Sequence, residues 1–323
     1  MYDKIFDLIK AHENIVIARH VGVDPDAMAS SIALRDSIRE SFPNKNVYAV
    51  GNGTIRFNHL GYLDKNIDFD KLNNILLIVT DTPDRKRVDM EEVTHYEKSI
   101  KIDHHPFIEK FCDLELIDSA KSSASEMIFD LLYNTDLVLN KEICETLFAG
   151  IVADTNRFLF SNSNAETFDV VAKMIKNYEI DTTKVYYNLY KRPISEVKFF
   201  GYMAENIEVT ENGLGIIKLP KEVVSRFGVD PANGGNLINE FNNIGDLLVW
   251  LTATEDEKNK MIRVSVRSRG PVINKVLERH NGGGHALASG AKLKMFSEVD
   301  ALIIDLDMLC KEYKESSDYD ENN

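Results

Sequence analysis

Asn14-Ile15-Val16-Ile17-Ala18, followed after Arg19 by His20-Val21-Gly22-Val23-Asp24-Pro25-Asp26, is the stretch that decides the fold. Its first five residues form a short, nearly unbroken apolar run. A run that is apolar throughout, not at alternate positions, reads as a strand buried on both faces. The pattern recurs outward along the chain. Residues 75–79 form a second run, 47–50 and 100–102 weaker ones, and 114–117 close the series. Helical patterns over 27–41, 123–133, 141–154 and 165–178 accompany them. Strands alternating with helices predict an α/β domain, a parallel sheet flanked by helices. Ser163 with Glu166 three residues later reads as a capping box for the last helix.

Beyond this series the character changes. Residues 181–205 are helical and more polar, interrupted by Pro193, and read as a connection. Asn212-Gly213 between residues 207–209 and 214–219 is a hairpin signal. Residues 247–254 and 261–268 form another strand pair across the charged turn 255–260, with helical segments near 221–227, 237–242, 272–280 and 297–313. A smaller α+β domain follows from this mixture. The expected division is 1–185 for the first domain, 186–205 for a helical linker, 206–314 for the second domain and 315–323 for a polar, acidic, disordered tail.

At 323 residues, with 44% hydrophobic residues, the chain has material for about two domains with ordinary cores. Its net charge of −14 opposes long duplex nucleic acid, because nonspecific binding depends on Lys and Arg displacing counterions. A nucleotide substrate is therefore expected to be short. Cys112, Cys144 and Cys310 show no metal spacing and no disulfide framework. With no apolar run long enough for a membrane span and no signal-peptide pattern, a reducing cytoplasm is the expected compartment.

Four polar segments share one place in the first domain. His20 to Asp26 follow the first strand, Asp81 follows the strand at 75–79, Asp103-His104-His105 follow the strand at 100–102, and Asp154 closes a helix. In an open parallel sheet, ligands bind beyond the carboxyl ends of the strands, so these residues are candidates for one cluster. Carboxylates and imidazoles suit Mn²⁺ and similar divalent ions. Asp24 and Asp26, separated by one residue, can serve two different ions, and a carboxylate such as Asp81 can bridge where an imidazole cannot. Singly, each segment has a plainer reading. An Asp after a strand is more often a helix cap or turn residue, a His pair arises by chance, and Asp154 is a helix end. Their joint placement carries the inference.

At these residues the sequence resembles the DHH phosphoesterase family. The signature Asp103-His104-His105 is present, His20-Val21-Gly22-Val23-Asp24-Pro25-Asp26-Ala27-Met28-Ala29-Ser30 is similar to the first motif, and Asp81-Thr82 and Ala153-Asp154-Thr155 to the second and fourth. The resemblance implies two divalent ions, with Mn²⁺ expected. One is held by His20, Asp24 and Asp81, the other by Asp26, Asp81, His104 and Asp154. It also implies that Asp103 orients an imidazole and that His105 faces the substrate phosphate.

Asn281-Gly282-Gly283-Gly284-His285-Ala286-Leu287-Ala288-Ser289-Gly290 resembles the glycine-rich signature of the DHH-associated C-terminal domain. Successive glycines let backbone N–H groups approach a phosphate. Strand alternation puts Arg263, Ser265, Arg267 and Arg269 on one face. Arg267 and Arg269 are the expected phosphate clamp, with Gly282, Gly283, Gly284 and His285, and Arg263 is read as solvated. Order and size resemble the NrnA-type enzymes. That implies hydrolysis of very short RNA and of adenosine 3′,5′-bisphosphate (pAp), with a homodimer as an open alternative. The usual Asp-Thr-Gly-Arg-Phe reads Asp154-Thr155-Asn156-Arg157-Phe158, and the usual Gly-Gly-Gly-His-Pro ends in Ala286. A cyclic or linear dinucleotide phosphodiesterase (c-di-AMP or pApA type), an inorganic pyrophosphatase and a non-catalytic nucleotide-binding protein are the competing readings.

Overall fold

The computed structural model describes residues 1–90 and 95–316. The expected tail therefore lies, from residue 317 on, outside the described residues. The chain divides into two compact units, Met1–Lys191 and Arg192–Asn323.

In the first unit the elements run α1 (Tyr2–Ala11), β1 (Asn14–Ala18), α2 (Pro25–Ser41), β2 (Asn46–Ala49), β3 (Ile75–Thr80), β4 (Lys98–Asp103), β5 (Leu114–Ile117), α3 (Ala124–Tyr133), α4 (Lys141–Asp154), α5 (Ala165–Tyr178) and α6 (Thr182–Tyr190). The five strands are parallel in the order β2-β1-β3-β4-β5. The run at 14–18 is unbroken because both faces are covered. Ile15 and Ile17 face one core with Leu76, Ile78 and residues of all six helices. Val16 and Ala18 face another, under Ile67, Leu72, Val88 and Phe111. The strand order reverses between β1 and β3, and a parallel sheet leaves a crevice at such a switch point.

α5 corrects one local expectation. Asn164, not Ser163, caps it, accepting from Thr167 N at 3.1 Å while its amide donates to Ala120 O at 2.8 Å. The Asn164 amide serves two backbone groups, while the Ser163 hydroxyl is buried with no hydrogen-bond partner among the described residues.

The second unit runs α7 (Ile194–Glu205), β6 (Glu208–Val209), β7 (Leu214–Leu219), α8 (Lys221–Phe227), α9 (Asn233–Asn236), β8 (Val249–Asp256), β9 (Met261–Ser268), α10 (Asn274–Arg279), β10 (Gly282–His285), β11 (Ala288–Leu293) and α11 (Phe296–Lys314). These strands form one mixed sheet, β10-β11-β9-β8-β7-β6. Residues 238–241, expected as helix, form a 3-10 turn. On one face α11 buries Val299, Leu302, Leu306 and Cys310. On the other, Phe199 and Met203 of α7 pack with Phe241, Leu247 and Trp250. The stretch 186–205 is thus the end of α6, which packs through Val185 in the first unit, followed by α7, which packs in the second.

Candidate metal centre and phosphate pocket

β1 ends at Ala18, and the backbone beyond it is braced by Arg19. This fully buried guanidinium donates to Asp89 Oδ2 at 2.8 Å, to His20 O at 2.9 Å and to Asn52 O at 2.6 Å. His20 is therefore held next to a fixed point. Its Nδ1 lies 2.9 Å from Val21 O, so Nδ1 carries the ring proton and Nε2 is left facing carboxylates. Asp24 caps α2, accepting from Ala27 N at 2.9 Å through Oδ1, and turns Oδ2 to His20 Nε2 at 3.4 Å. The plain helix-cap reading and the cluster reading of Asp24 thus both hold, one on each oxygen.

Asp81 follows β3 at φ 51°, a left-handed conformation that costs a non-glycine residue about 1–3 kcal/mol. The strained backbone puts its carboxylate at the switch point between two imidazoles, with Oδ2 3.2 Å from His20 Nε2 and Oδ1 3.4 Å from His104 Nε2. Asp154, at the end of α4, lies 3.3 Å from His104 Nε2. Asp26, in the first turn of α2, is buried. Its oxygens accept from Ala124 N at 2.8 Å and Ser125 N at 2.9 Å, in the first turn of α3. The structure thus brings all six expected metal ligands together in two groups, His20–Asp24–Asp81 and Asp26–His104–Asp154, each with donor atoms within 4.8 Å of one another. Asp81, His104 and His105 form a third such group.

Does this set fit cations? Asp81 Oδ1 is buried and has no hydrogen-bond partner among the described residues. Nitrogen–oxygen separations of 3.2–3.4 Å exceed the roughly 2.7–2.9 Å of a charge-assisted hydrogen bond. They match donors arranged around a shared ion at about 2.0–2.2 Å from each. The electrostatics agree. Burial raises the Asp26 and Asp154 carboxyls to about 7 and about 8, reinforced by the neighbouring carboxylates. Burial opposes charge on His20 and His104, yet their carboxylate partners prevail and lift them to about 11 and about 10. Asp81, between two imidazoles, drops to about 2 in spite of burial. Without metal, protons neutralise a cluster built to gather positive charge, so the donor set fits divalent ions.

Other residues in the arrangement were not singled out from sequence. Gly150 of α4 is one: a Cβ there would collide with Ser125 Oγ and come within 2.7 Å of Asp26 Oδ1. An isolated glycine inside a helical pattern was the available signal. Arg19, just beyond β1, and Lys101, within β4, are buried cations whose partners the sequence does not reveal. His105 Nδ1 lies 2.8 Å from Asp103 Oδ1, so Asp103 orients His105.

In the second unit, Arg267, Gly282 and Gly283 line a cavity of about 550 Å³ together with Asn281, Ser265, Arg263 and Lys292. Arg263, expected to be solvated, is in that lining and is tied by Nε to Asp256 at 2.7 Å. The structure does not bring Arg269, Gly284 or His285 into it. Arg269 instead donates to Asn242 O and Ile244 O, each at 2.8 Å. The glycine run is also not a loop. Gly282–His285 pair antiparallel with β11 as the edge strand of the sheet. Gly282 and Gly290 are required because a Cβ at either would meet backbone carbonyl oxygen, of Gly290 and of Val264 respectively.

Two family models match the sequence: the DHH family, N-terminal domain, over residues 14–151, and the DHHA1 domain over residues 219–312. A Bacillus subtilis protein named bifunctional oligoribonuclease and PAP phosphatase NrnA is 35% identical, covering 97% of this chain and 100% of that one. The chain belongs to the DHH family. A second DHH relative, from Streptococcus mutans and named probable bifunctional oligoribonuclease and PAP phosphatase NrnA, is 34% identical over 96% of this chain and 99% of its own length. The crystal structure of an exopolyphosphatase-related protein from Bacteroides fragilis superposes with a TM-score of 0.83, covering 97% of this chain and 96% of that one at 24% identity. It shares the fold. Among the described residues no helix is long and apolar enough to cross a membrane.

Where the DHH pattern has glycine after Asp154-Thr155, this DHH protein has Asn156 at φ 46°, followed by Arg157 and Phe158, both at φ 65°. Three consecutive left-handed residues make a tight reverse turn. Asn tolerates that conformation better than most side chains, and Thr155 Oγ1 holds the turn by accepting from Phe158 N at 3.0 Å.

Proposed function

We propose that the chain is a two-metal phosphoesterase of short nucleotides. It hydrolyses oligoribonucleotides of a few residues to nucleoside monophosphates, and removes phosphate from pAp. The observation that carries this is Asp81, with one oxygen turned to His20 and the other to His104, at the meeting point of two cation-binding groups. His20, Asp24 and Asp81 would hold one divalent ion; Asp26, Asp81, His104 and Asp154 would hold the other, with Mn²⁺ as the proposed metal. When bound, such ions neutralise charge on the phosphoryl oxygens and supply a strong nucleophile from water near neutral pH. The oligoribonuclease and PAP phosphatase names of the two relatives support the substrate class, and their identity spans nearly the whole chain.

The protein's own groups do the rest. Arg19 and its partners keep His20 in place. The α3 N-terminus fixes Asp26 by two backbone donors, so its carboxylate stays oriented. Asp103 holds the proton on His105 Nδ1, leaving Nε2 as the ring atom that serves a phosphoryl or leaving-group oxygen. Arg267 with Gly282 and Gly283 would bind a second phosphate of the substrate. Arg forks suit phosphate oxygens, and the cavity has the volume of a nucleotide-sized ligand site. Residues 1–185 would carry the chemistry and 206–314 the substrate binding, in a cytoplasmic protein.

The test is a panel of RNA dinucleotide, pAp, linear and cyclic dinucleotides and pyrophosphate with Mn²⁺, Mg²⁺ and Co²⁺, for the wild type and for Asp81→Ala and Asp154→Ala. The expected result is metal-dependent release from the dinucleotide and pAp, lost in both variants. Full Mn²⁺-dependent activity in Asp81→Ala would end the two-metal reading. Pyrophosphate or a cyclic dinucleotide as the only substrate would end the assigned specificity.

A further inference from the structure

Lys101 has no part in the cluster just described, yet it is placed beside it at a high energetic cost. It lies in mid-strand in β4, and its side chain is 0% exposed. Ile100 and Ile102 face the helices, so alternation turns Ser99, Lys101 and Asp103 to the other side of the sheet. There Lys101 Nζ donates to Pro83 O at 3.0 Å, lies 3.5 Å from Asp103 Oδ2 and sits 4.8 Å from the centre of the Phe111 ring. Asp103 is equally buried. Its Oδ1 takes His105 Nδ1 at 2.8 Å and the His105 backbone N at 3.3 Å. Its Oδ2 has no hydrogen-bond partner among the described residues, and Lys101 is its ion-pair partner.

A buried ion pair is a poor device for stability. Desolvation of two ions is large, and apolar residues of similar size are often neutral or better. Methionine would fill the Lys101 space without that cost. What the pair does supply is direction. With Lys101 on Oδ2, the carboxylate plane of Asp103 is fixed and Oδ1 is committed to His105. Without that charge, Oδ2 would be buried and unpaired, and the carboxylate would turn toward another donor.

We infer that Lys101 is a positioning residue: through Asp103 it fixes the orientation and the Nδ1–H tautomer of His105. Nε2 is thereby kept as the atom that meets the substrate phosphoryl group. This rests on the phosphoesterase reading for what His105 does, but not for the Lys101–Asp103–His105 geometry. The competing role is a staple. Through Pro83 O, Lys101 also holds the turn that follows Asp81, and loss of that contact would disturb metal binding instead.

The experiment compares Lys101→Met, Asp103→Asn and the double variant. The readouts are kcat and KM on an RNA dinucleotide, Mn²⁺ affinity by calorimetry, thermal melting, and ¹⁵N NMR of the His105 imidazole in the Mg²⁺-loaded protein. Loss of an outer partner of this kind costs roughly ten- to a hundredfold in activity. Lys101→Met should lower kcat by that amount, leave KM and Mn²⁺ affinity within about twofold, and turn the His105 signal from one tautomer into a mixture. The double variant should match Asp103→Asn within about twofold, because both lie on one chain of action. An unchanged tautomer in folded Lys101→Met, a fall in Mn²⁺ affinity with the tautomer intact, or multiplying losses in the double variant would each overturn the inference. If Lys101→Met does not fold, the double variant, which buries no lone charge, decides by its match or mismatch with Asp103→Asn. A wild type that cleaves no phosphoester would sink the phosphoesterase reading, and the NMR comparison would still judge Lys101.

Discussion

In the N-terminal unit four carboxylates and two imidazoles converge at a sheet switch point, buried or half-buried, each pinned by backbone or by a neighbour. In the C-terminal unit three arginines are strung along or just beyond one strand, and each is engaged differently. Arg263 holds Asp256, Arg267 holds Asn239, and Arg269 holds two backbone carbonyls. The first arrangement admits little adjustment, because strand ends, helix caps and a strained Asp81 fix every donor. The second is a half-exposed face whose cations reach by flexible stems. Under the proposed function, chemistry falls to the rigid region and ligand grip to the adaptable one.

Substitutions can break this contrast. The largest effect is expected from Gly150→Ala. The added methyl has no room beside Ser125 and Asp26, so Asp26 must move. Activity should drop about a hundredfold, with metal affinity weakened, as when an outer support of a metal site is lost. The variant should stay folded at a cost of about 1–3 kcal/mol. Full activity with unaltered metal affinity would show that the rigid site is less rigid than its packing implies.

pH separates the units next. In the metal-free protein Asp26 and Asp154 hold protons up to about 7 and about 8, against an ordinary 3.8. The folded state therefore binds more protons than the unfolded state between about pH 4 and 8, and stability falls as pH rises through that window. His20 and His104, raised from 6.5 to about 11 and about 10, contribute stability that is fully present below about pH 6.5 and is lost progressively as pH climbs from there to those values. Mn²⁺ bound there would displace these protons, so its stabilising effect should grow from pH 6 to 9. Calorimetry in buffers of different ionisation enthalpy should show proton release on binding. A melting temperature of the metal-free protein that is flat from pH 5 to 8 would contradict this.

A smaller difference should divide the arginines. Arg267→Ala removes a cation from the cavity lining and should weaken substrate, as KM or as pAp affinity, by about tenfold, in line with a charged hydrogen bond of about 1.5–3 kcal/mol. Arg269→Ala should lower the melting temperature and leave affinity within about twofold. The reverse ranking would restore Arg269 as the clamp. The smallest effect is a gain. Asn156→Gly relieves a left-handed residue at φ 46° and should add up to about 1 kcal/mol, or some 2–4 °C in melting temperature, with activity kept.

Much of the catalytic side was legible in the sequence, for a physical reason. A strand covered on both faces must be apolar throughout, so the polar residue that ends it stands out, and His20, Asp81 and Asp103 do so. What escaped was whatever depends on partners distant in sequence. β4 starts at Lys98 but reads from sequence only as residues 100–102, because a polar residue such as Ser99 looks like the end of the run until its partner Asp113 is known. Asn164 displaced Ser163 as a cap because of Ala120, more than forty residues away. Nothing local in the glycine run reveals its pairing with β11. For Arg269, alternation gave the face but not the carbonyls that capture the guanidinium.

The sheet order also has a consequence for the making of the molecule. Because β1 lies between β2 and β3, the first strand made waits in the middle of the sheet for a neighbour completed only at Thr80. The last cluster residue, Asp154, emerges later still. At about 5–20 residues per second, a ribosome takes on the order of ten seconds to pass from His20 to Asp154. Throughout that interval the nascent chain carries the front half of an ion cradle and lacks the back, so a divalent ion captured early meets an open shell. The complete donor set is a late event in the life of each chain, reached only after α4 has docked its glycine against α2.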